Sequence, residues 1–285
     1  MIRLVTIIGH GTNLLPHFIN HYKKQVDEIN IVVYETGSNS SIINDVKKII
    51  ENEDNVKIVK TVKDRIYDWE RVTLLYNYIK SQHPNDWWVI ADIDELHLYP
   101  NDDLHKLIYD CQENNWEIVR GGFIDRIGED GTFPTIVPDV SIWEQFPNAG
   151  FFRYPMSKAC PNKICITKGY IQITSGQHYA IINDHTTWRW QGWNHPLIAP
   201  IETHSVQVHH FKWDETAIKR IFDVASIKED YSYSDEYFTM FNELKKTGNV
   251  INLDNKQFMF EQGLNYPEYD RYRQWNQLIK KIIAI

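Results

Sequence analysis

Two aspartates follow a short apolar segment in the first third of the chain. The segment is Trp87–Ile90, and Asp92 and Asp94 come after it at an i, i+2 spacing. Two carboxylates that leave a strand end in this way can face one divalent cation, which keeps open positions for phosphate oxygens. The pair therefore predicts a Mn²⁺ or Mg²⁺ site for a phosphorylated ligand. The alternative is a pair of solvated strand-end charges or helix caps.

Two histidines later in the chain are further candidate metal ligands. His209 and His210 end an apolar alternation that begins at Val206, so their side chains point to opposite faces of a strand. One imidazole could pack inward while the other reaches the metal or a diphosphate. Both could instead be structural histidines with hydrogen-bonded rings. Lys212 lies on the same side as His210, where it could bind a diphosphate or be solvated.

Charged and aromatic groups elsewhere could contact a ligand. Asp64, Arg65 and Arg71 follow the third predicted strand, where a nucleotide pocket needs cations or hydrogen-bond donors, although an exposed helix start would look the same. An indole-rich segment could stack on a flat acceptor or could form a satellite core under a long loop. Its tryptophans are Trp188, Trp190 and Trp193.

Short apolar segments alternate with helical apolar stripes over the first hundred residues. The predicted strands are 4–8, 31–34, 56–59 and 87–90, and the predicted helices are 15–26, 42–50 and 69–79. This alternation predicts an α/β fold with right-handed crossovers and a mostly parallel, Rossmann-like sheet flanked by helices. Ligands of such sheets bind beyond the carboxyl ends of the strands, where Asp92 and Asp94 are expected.

The pattern changes after Asp92. We expect a helix from Asp102 or Asp103 to about residue 112 and a strand over 118–123, broken by Gly121-Gly122. A hairpin is predicted next, with strands over 163–167 and 170–174 and a turn at 168–169. A strand over 206–209 and helices over 214–227, 235–246 and 269–284 complete the predicted elements. Residues 1–213 are thus predicted to form one domain, with halves 1–100 and 101–213. Residues 214–285 are predicted to form a helical extension packed on it.

Five segments of the sequence follow one another in a characteristic order. They are Asn13 to Phe18 after strand one, Val33 to Ser40 after strand two, Asp92 to Leu96, Gly122 to Arg126 with Gly131, and Val208 to Trp213. In this order they resemble the nucleotide-sugar glycosyltransferases of the GT-A fold, and among them the family 2-like enzymes. The resemblance covers residues 4–215. Glu35 and Ser40 stand where the family usually has aspartates, and Leu96 stands where it has phenylalanine.

The resemblance implies a nucleotide diphosphate sugar donor, with UDP expected, bound at the ends of strands one to four. Asp92 and Asp94 would hold Mn²⁺ or Mg²⁺, and His210 or His209 would complete the metal shell. The residues expected to contact the donor are Gly9, His10, Asn13, Glu35, Arg65, Arg71, Asp92 and Lys212. The tryptophans at 188, 190 and 193 would contact the acceptor, which could be a glycan, a protein or a modified nucleic-acid base.

Transfer to an acceptor hydroxyl with inversion requires a carboxylate that removes the hydroxyl proton. The candidate bases are Asp125, Glu144 and Asp184. Asp125 comes first because of the resemblance, although it could instead form an ion pair with Arg126, and a retaining enzyme would need no such base. Two other functions stay open: a nucleotidyltransferase-like enzyme, disfavoured because Gly9 to Thr12 lacks Lys or Arg, and a non-catalytic carbohydrate-binding module.

Composition limits the remaining classes. The chain has 285 residues, of which 42% are hydrophobic and 13% aromatic, and this composition excludes disorder as the main state. The net charge of -8 argues against a dedicated nucleic-acid-binding domain with a basic face, although a local basic groove stays open. No apolar segment is long enough for a signal peptide or a membrane span. The three cysteines, Cys111, Cys160 and Cys165, form no metal-binding motif. A cytoplasmic location is therefore expected.

Overall fold

A computed structural model of the chain describes residues 1–37, 39–150, 152, 162–182, 185–186, 195–227 and 234–253. Its main sheet has nine strands in the order β3-β2-β1-β4-β8-β6-β12-β5, with β7 paired to β6. These strands are β1 (Ile2–Ile8), β2 (Glu28–Thr36), β3 (Val56–Asp64), β4 (Trp87–Ile90), β5 (Glu95–Leu98), β6 (Ile118–Ile127), β7 (Asn148–Gly150), β8 (Asn162–Lys168) and β12 (Val206–His210). A second, three-stranded sheet contains β9 (Gln172–Ile173), β10 (Ala180–Ile182) and β11 (His185–Thr186).

The eight described helices lie between and after the strands. They are α1 (Leu15–Tyr22), α2 (Ile42–Ile49), α3 (Trp69–Ser81), α4 (Leu104–Glu113), α5 (Ile142–Gln145), α6 (Ile201–His204), α7 (Ala217–Ala225) and α8 (Ser234–Lys246). Local sequence explains the clearest helix starts. The Asp68 carboxylate accepts hydrogen bonds from the amides of Glu70 and Arg71, and the Asp103 carboxylate accepts one from Lys106.

The predicted α/β class with a mostly parallel sheet is confirmed. Six of the nine strands described in the main sheet share one direction, namely β1, β2, β3, β4, β6 and β12. The pairings among β1 to β4 are all parallel, as the helix between each pair of strands requires. The antiparallel strands β5, β7 and β8 lie in the second half of the sheet.

The predicted hairpin after residue 162 is wrong. Strand β8 pairs with β4 and β6, whereas β9 pairs with β10 in the second sheet. The Gly169 amide in the intervening turn donates to the carbonyl of Asp86, in the segment between α3 and β4. A Cβ at Gly169 would lie 2.6 Å from the Lys80 carbonyl oxygen, so the close approach requires glycine.

The predicted break at Gly121-Gly122 is also wrong, since β6 runs through both glycines. A Cβ at Gly121 would lie 2.5 Å from the carbonyl oxygen of Val206 on β12 and 2.6 Å from Cys165 Sγ on β8. The absent side chain therefore lets the neighbouring strands approach β6 closely.

Helices cover both faces of the sheet over two apolar clusters. One cluster includes Phe18, Trp87 and Phe211, and the other includes Tyr76 and Trp88. The two adjacent tryptophans of β4 therefore pack on opposite faces, as alternation along a strand dictates. A third cluster packs α7 and α8 on Trp213 and the end of β6, which gives the chain its helical C-terminal extension. The boundary at residue 213 stays a prediction.

Two further expectations concern helices and thiols. None of the helices in the described ranges has the length and apolar character needed to cross a bilayer. Cys111 and Cys165 are buried free thiols, and Cys160 and the helix predicted for 269–284 lie outside the described residues.

Candidate active site

The two aspartates occupy a tight reversal of the chain between β4 and β5. The Glu95 amide donates to the Asp92 carbonyl, which closes the turn at 2.9 Å. Strand β5 then runs antiparallel to β12, with Glu95 opposite His210, and the Phe211 amide donates to the Asp94 carbonyl at 2.7 Å. The reversal therefore places Asp94 beside the end of β12.

His210 lies between two carboxylates. Its Nε2 is 3.4 Å from Asp94 Oδ2, and its Nδ1 is 3.1 Å from Asp125 Oδ1. Burial favours the neutral ring, but Asp94 and Asp125 outweigh it and raise the pKa of His210 to about 9. The Trp213 indole also donates to Asp125 Oδ1, at 2.9 Å. Asp125 thus holds one ring nitrogen of His210 while the other faces Asp94.

Asp92 belongs to a different hydrogen-bond network. Its Oδ1 accepts from the Tyr76 hydroxyl at 2.7 Å and from Gln177 Nε2 at 2.8 Å. Its Oδ2 is 3.3 Å from the ammonium group of Lys163, which also lies 2.8 Å from Glu95 Oε1. Burial alone would lower the pKa of Lys163, but Glu95 and Asp92 raise it. The network fixes the Asp92 carboxylate while leaving it partly exposed.

The Asp94 carboxylate and a deprotonated Nε2 of His210 suit a hard divalent cation, which would have to displace the proton that the two carboxylates favour on the ring. Magnesium is commonly held by one or two protein carboxylates together with water and substrate phosphates, and a carboxylate on the far nitrogen orients a metal-binding histidine. The Asp94–His210–Asp125 arrangement has both features. Over the described ranges, no three His, Cys, Asp or Glu side chains converge on one metal position, so phosphate and water would have to complete the shell.

The structure does not place the His209 side chain next to Asp94 and His210. Its Nδ1 accepts from Arg126 Nε at 3.0 Å, its Nε2 lies 3.1 Å from Gln207 Oε1, and its ring packs on the edge of Trp143. The two adjacent histidines therefore point to opposite faces, as the alternation predicted. Arg126 bonds to His209 rather than to the neighbouring Asp125.

The predicted donor residues lie at the ends of β1, β2 and β3. Gly9 follows β1, and a Cβ there would lie 2.6 Å from the Tyr67 ring, so only glycine permits this contact. The side-chain amide nitrogen of Asn39, Nδ2, donates to the Gly9 carbonyl at 2.9 Å. His10, next to Gly9, is exposed, and Asn13 is half-buried.

Several of the predicted donor residues already have protein partners. The Glu35 carboxylate is 2.9 Å from Lys63 Nζ on β3, and Arg71 forms an ion pair with Asp64. Arg65 is exposed. The Lys212 ammonium group lies over the Trp213 ring, 4.9 Å from its centroid. The contacts described for Glu35, Arg71 and Lys212 are therefore with Lys63, Asp64 and Trp213 rather than with Asp94 or His210.

Of the predicted catalytic and acceptor residues, the structure describes Asp125 and Glu144. Asp125 lies behind His210, and Glu144 is exposed on α5. Asp184 and the tryptophans at 188, 190 and 193 lie outside the described residues. Sequence reasoning missed Lys163 and Gln177. A lysine within the apolar segment of β8 was the available signal for a buried charge that needs carboxylate partners.

Comparisons with known proteins find distant similarity to solved structures. The chain matches no model of a known protein family, and it has no significant match among curated proteins. A crystal structure of 4-diphosphocytidyl-2C-methyl-D-erythritol synthase is similar at a TM-score of 0.33 and 14% identity, over 59% of this chain and 75% of that chain. A Bacillus anthracis protein provisionally described as a glucose-1-phosphate thymidylyltransferase, in complex with a sucrose, is similar at a TM-score of 0.31 and 11% identity, over 88% and 85%. Such low scores carry no argument about activity.

Proposed function

We propose that this chain is a metal-dependent glycosyltransferase that uses a nucleotide diphosphate sugar, with UDP as the expected nucleotide. The observation that supports this most is the pair of Asp94 Oδ2 and His210 Nε2, 3.4 Å apart at the end of β12. Asp125 orients the ring from behind. Asp94 and His210 would hold Mn²⁺ or Mg²⁺, which when bound supplies charge neutralisation for the departing diphosphate.

The protein's own groups position the donor in this proposal. Asp92 is fixed by Tyr76, Gln177 and Lys163, so its partly exposed carboxylate is preorganised toward donor hydroxyls. Gly9 lets the Tyr67 ring pack against the end of β1, next to the position proposed for the nucleotide. Catalysis would come mainly from holding the anomeric carbon and the acceptor hydroxyl in one geometry and from stabilising the departing charge.

We propose transfer with inversion, to an acceptor that is a glycan, a protein or a modified nucleic-acid base. Asp125 Oδ1 already accepts hydrogen bonds from His210 and Trp213, so we assign it to orienting His210. The candidate bases are then Glu144, which is exposed, and Asp184. We further propose that the protein acts in the cytoplasm, where its buried thiols stay reduced.

A donor screen followed by one variant tests the proposal. Thermal shift with Mn²⁺ and a panel of nucleotide sugars should identify a donor, because a ligand that binds only the native state raises the melting temperature. Donor hydrolysis is then measured with and without Mn²⁺ in wild type and Asp94→Asn. Asp139→Asn, at an exposed position, is the matched control. The proposal requires Mn²⁺-dependent hydrolysis that the Asp94 variant loses and the control retains.

The other possible results have distinct meanings. Conversion of the donor and added pyrophosphate into a nucleoside triphosphate and a sugar 1-phosphate, by attack on phosphorus, would identify a nucleotidyltransferase. Ligand binding without turnover in wild type would indicate a carbohydrate-binding module. Equal hydrolysis with and without Mn²⁺ in both wild type and the Asp94 variant would refute the proposed metal role.

A further inference from the structure

Arg220 reaches from the C-terminal extension back toward the active site. It lies on α7, and its guanidinium donates from Nη1 to Asp214 Oδ1 at 2.8 Å. It also donates to the Thr216 hydroxyl and, from Nη2, to the Lys212 carbonyl. The Asp214 side chain is 2% exposed, whereas that of Arg220 is 25% exposed. The buried carboxylate therefore anchors a cation that still meets solvent.

The anchoring segment is continuous with the metal-binding pair. Lys212, whose carbonyl accepts from Arg220, lies two residues beyond His210, and the intervening Phe211 amide bonds to the Asp94 carbonyl. Backbone contacts thus tie the guanidinium to both Asp94 and His210.

Arg220 also lies near the acidic turn. Asp94 and His10, which follows β1, are both close enough to the guanidinium for its charge to act on them. The cation on α7 therefore lies near both the end of β1 and the acidic turn.

We infer that Arg220 binds the diphosphate of the nucleotide donor, an inference that rests on the proposed function. A guanidinium has five N–H donors, and the bonds to Asp214, Thr216 and Lys212 leave two of them without a partner in the described part of the chain. Its planar fork suits phosphate oxygens better than the point charge of a lysine. Lys212, the diphosphate ligand expected from sequence, instead has its ammonium group over Trp213.

Binding measurements by calorimetry test this role. The probes are UDP, UMP and inorganic pyrophosphate, each with Mn²⁺, and the proteins are wild type, Arg220→Met and Arg220→Lys. Loss of a charge-assisted hydrogen-bond pair to phosphate is expected to raise the dissociation constant about 10- to 100-fold. Arg220→Met should weaken UDP and pyrophosphate binding by that factor and UMP binding much less. Arg220→Lys should give an intermediate loss.

Two control variants separate ligand binding from a structural role. Lys219→Met removes the same charge from the adjacent position, where the side chain is 77% exposed and pairs with Asp223. Asp214→Asn breaks the buried ion pair but keeps the guanidinium. Lys219→Met should bind UDP like wild type, whereas Asp214→Asn, which loosens the anchor but keeps the positive charge, should lose less UDP affinity than Arg220→Met. Thermal unfolding confirms that each variant is folded. Equal losses in Asp214→Asn and Arg220→Met, or unchanged UDP binding in Arg220→Met, would overturn the inference.

The probes also distinguish this inference from the proposed function. Arg220-dependent binding of pyrophosphate without any binding of UDP would retain the diphosphate site and reject the nucleotide donor. Binding of UDP that is unaffected in Arg220→Met would retain the donor and reject Arg220. A wild-type protein that binds neither UDP nor pyrophosphate would reject both.

Discussion

Replacing Lys80 with methionine should change how stability depends on pH. Lys80 is fully buried on α3, and its ammonium group donates to the Ile171 carbonyl at 2.7 Å. Burial lowers the pKa of Lys80 from 10.5 to about 7, and no carboxylate among the described residues counteracts it. The folded chain therefore binds this proton less tightly than the unfolded chain does. The resulting penalty is largest below pH 7 and disappears as the pH rises toward the unfolded value.

The size of the effect follows from the two pKa values. A shift of about 3.5 units corresponds to about 5 kcal/mol of penalty at low pH. Between pH 7 and pH 10 this penalty falls by about 3.5 kcal/mol, with a limiting slope of about 1.4 kcal/mol per pH unit. The free energy of unfolding of wild type should therefore rise by this amount relative to Lys80→Met over the same range.

Urea unfolding at a series of pH values measures the difference directly. Subtracting the Lys80→Met curve from the wild-type curve cancels the other titrating groups, provided the substitution leaves them unchanged. Lys48→Met is the control, because Lys48 is an exposed helix residue that water hydrates in both states. A wild-type minus Lys80→Met difference that stays flat between pH 7 and pH 10 would refute the reasoning, since it would show that Lys80 remains charged when buried.

Three further substitutions give definite expectations. Gly121→Ala should cost about 1–3 kcal/mol in urea unfolding, because its Cβ would lie 2.5 Å from the Val206 carbonyl. Lys163→Met leaves the buried Glu95 carboxylate without its cation and should lower the free energy of unfolding by about 3–5 kcal/mol; no loss would show that the ion pair is dispensable. Glu144→Gln should lower kcat about 100-fold if Glu144 is the base, and an unchanged kcat would remove it from the candidates.

The first half of the fold was predictable because its apolar residues repeat clearly at strand or helix spacing. The strands and helices between Ile2 and Ser81 alternate as predicted, with strand ends extended by a few residues. Strand β5 was missed because Glu95–Leu98 is short and follows the acidic motif immediately. The hairpin expected after Asn162 failed because β8 is held by partners from distant parts of the sequence, which local pattern does not reveal.

Part of the candidate site was also predictable from the sequence. Asp94 and His210 were both expected from residue type and position, and the structure brings them together. The buried network around Asp92 depends on β8 pairing antiparallel with β4, which puts Lys163 just beyond the strand end. Arg220 depends on the docking of α7 against Trp213. Neither arrangement follows from spacing along the chain.

The reversal between β4 and β5 has a consequence for assembly of the protein. Strand β5 is separated from β4 in the sheet by β8, β6 and β12, and its pairing partner β12 is synthesised more than a hundred residues later. Closing such long loops is slow relative to local helix formation. We therefore expect the acidic turn to gain its fixed geometry only when β12 adds to the sheet. A chain ending at residue 100 would carry both aspartates but lack the strand that holds them in place.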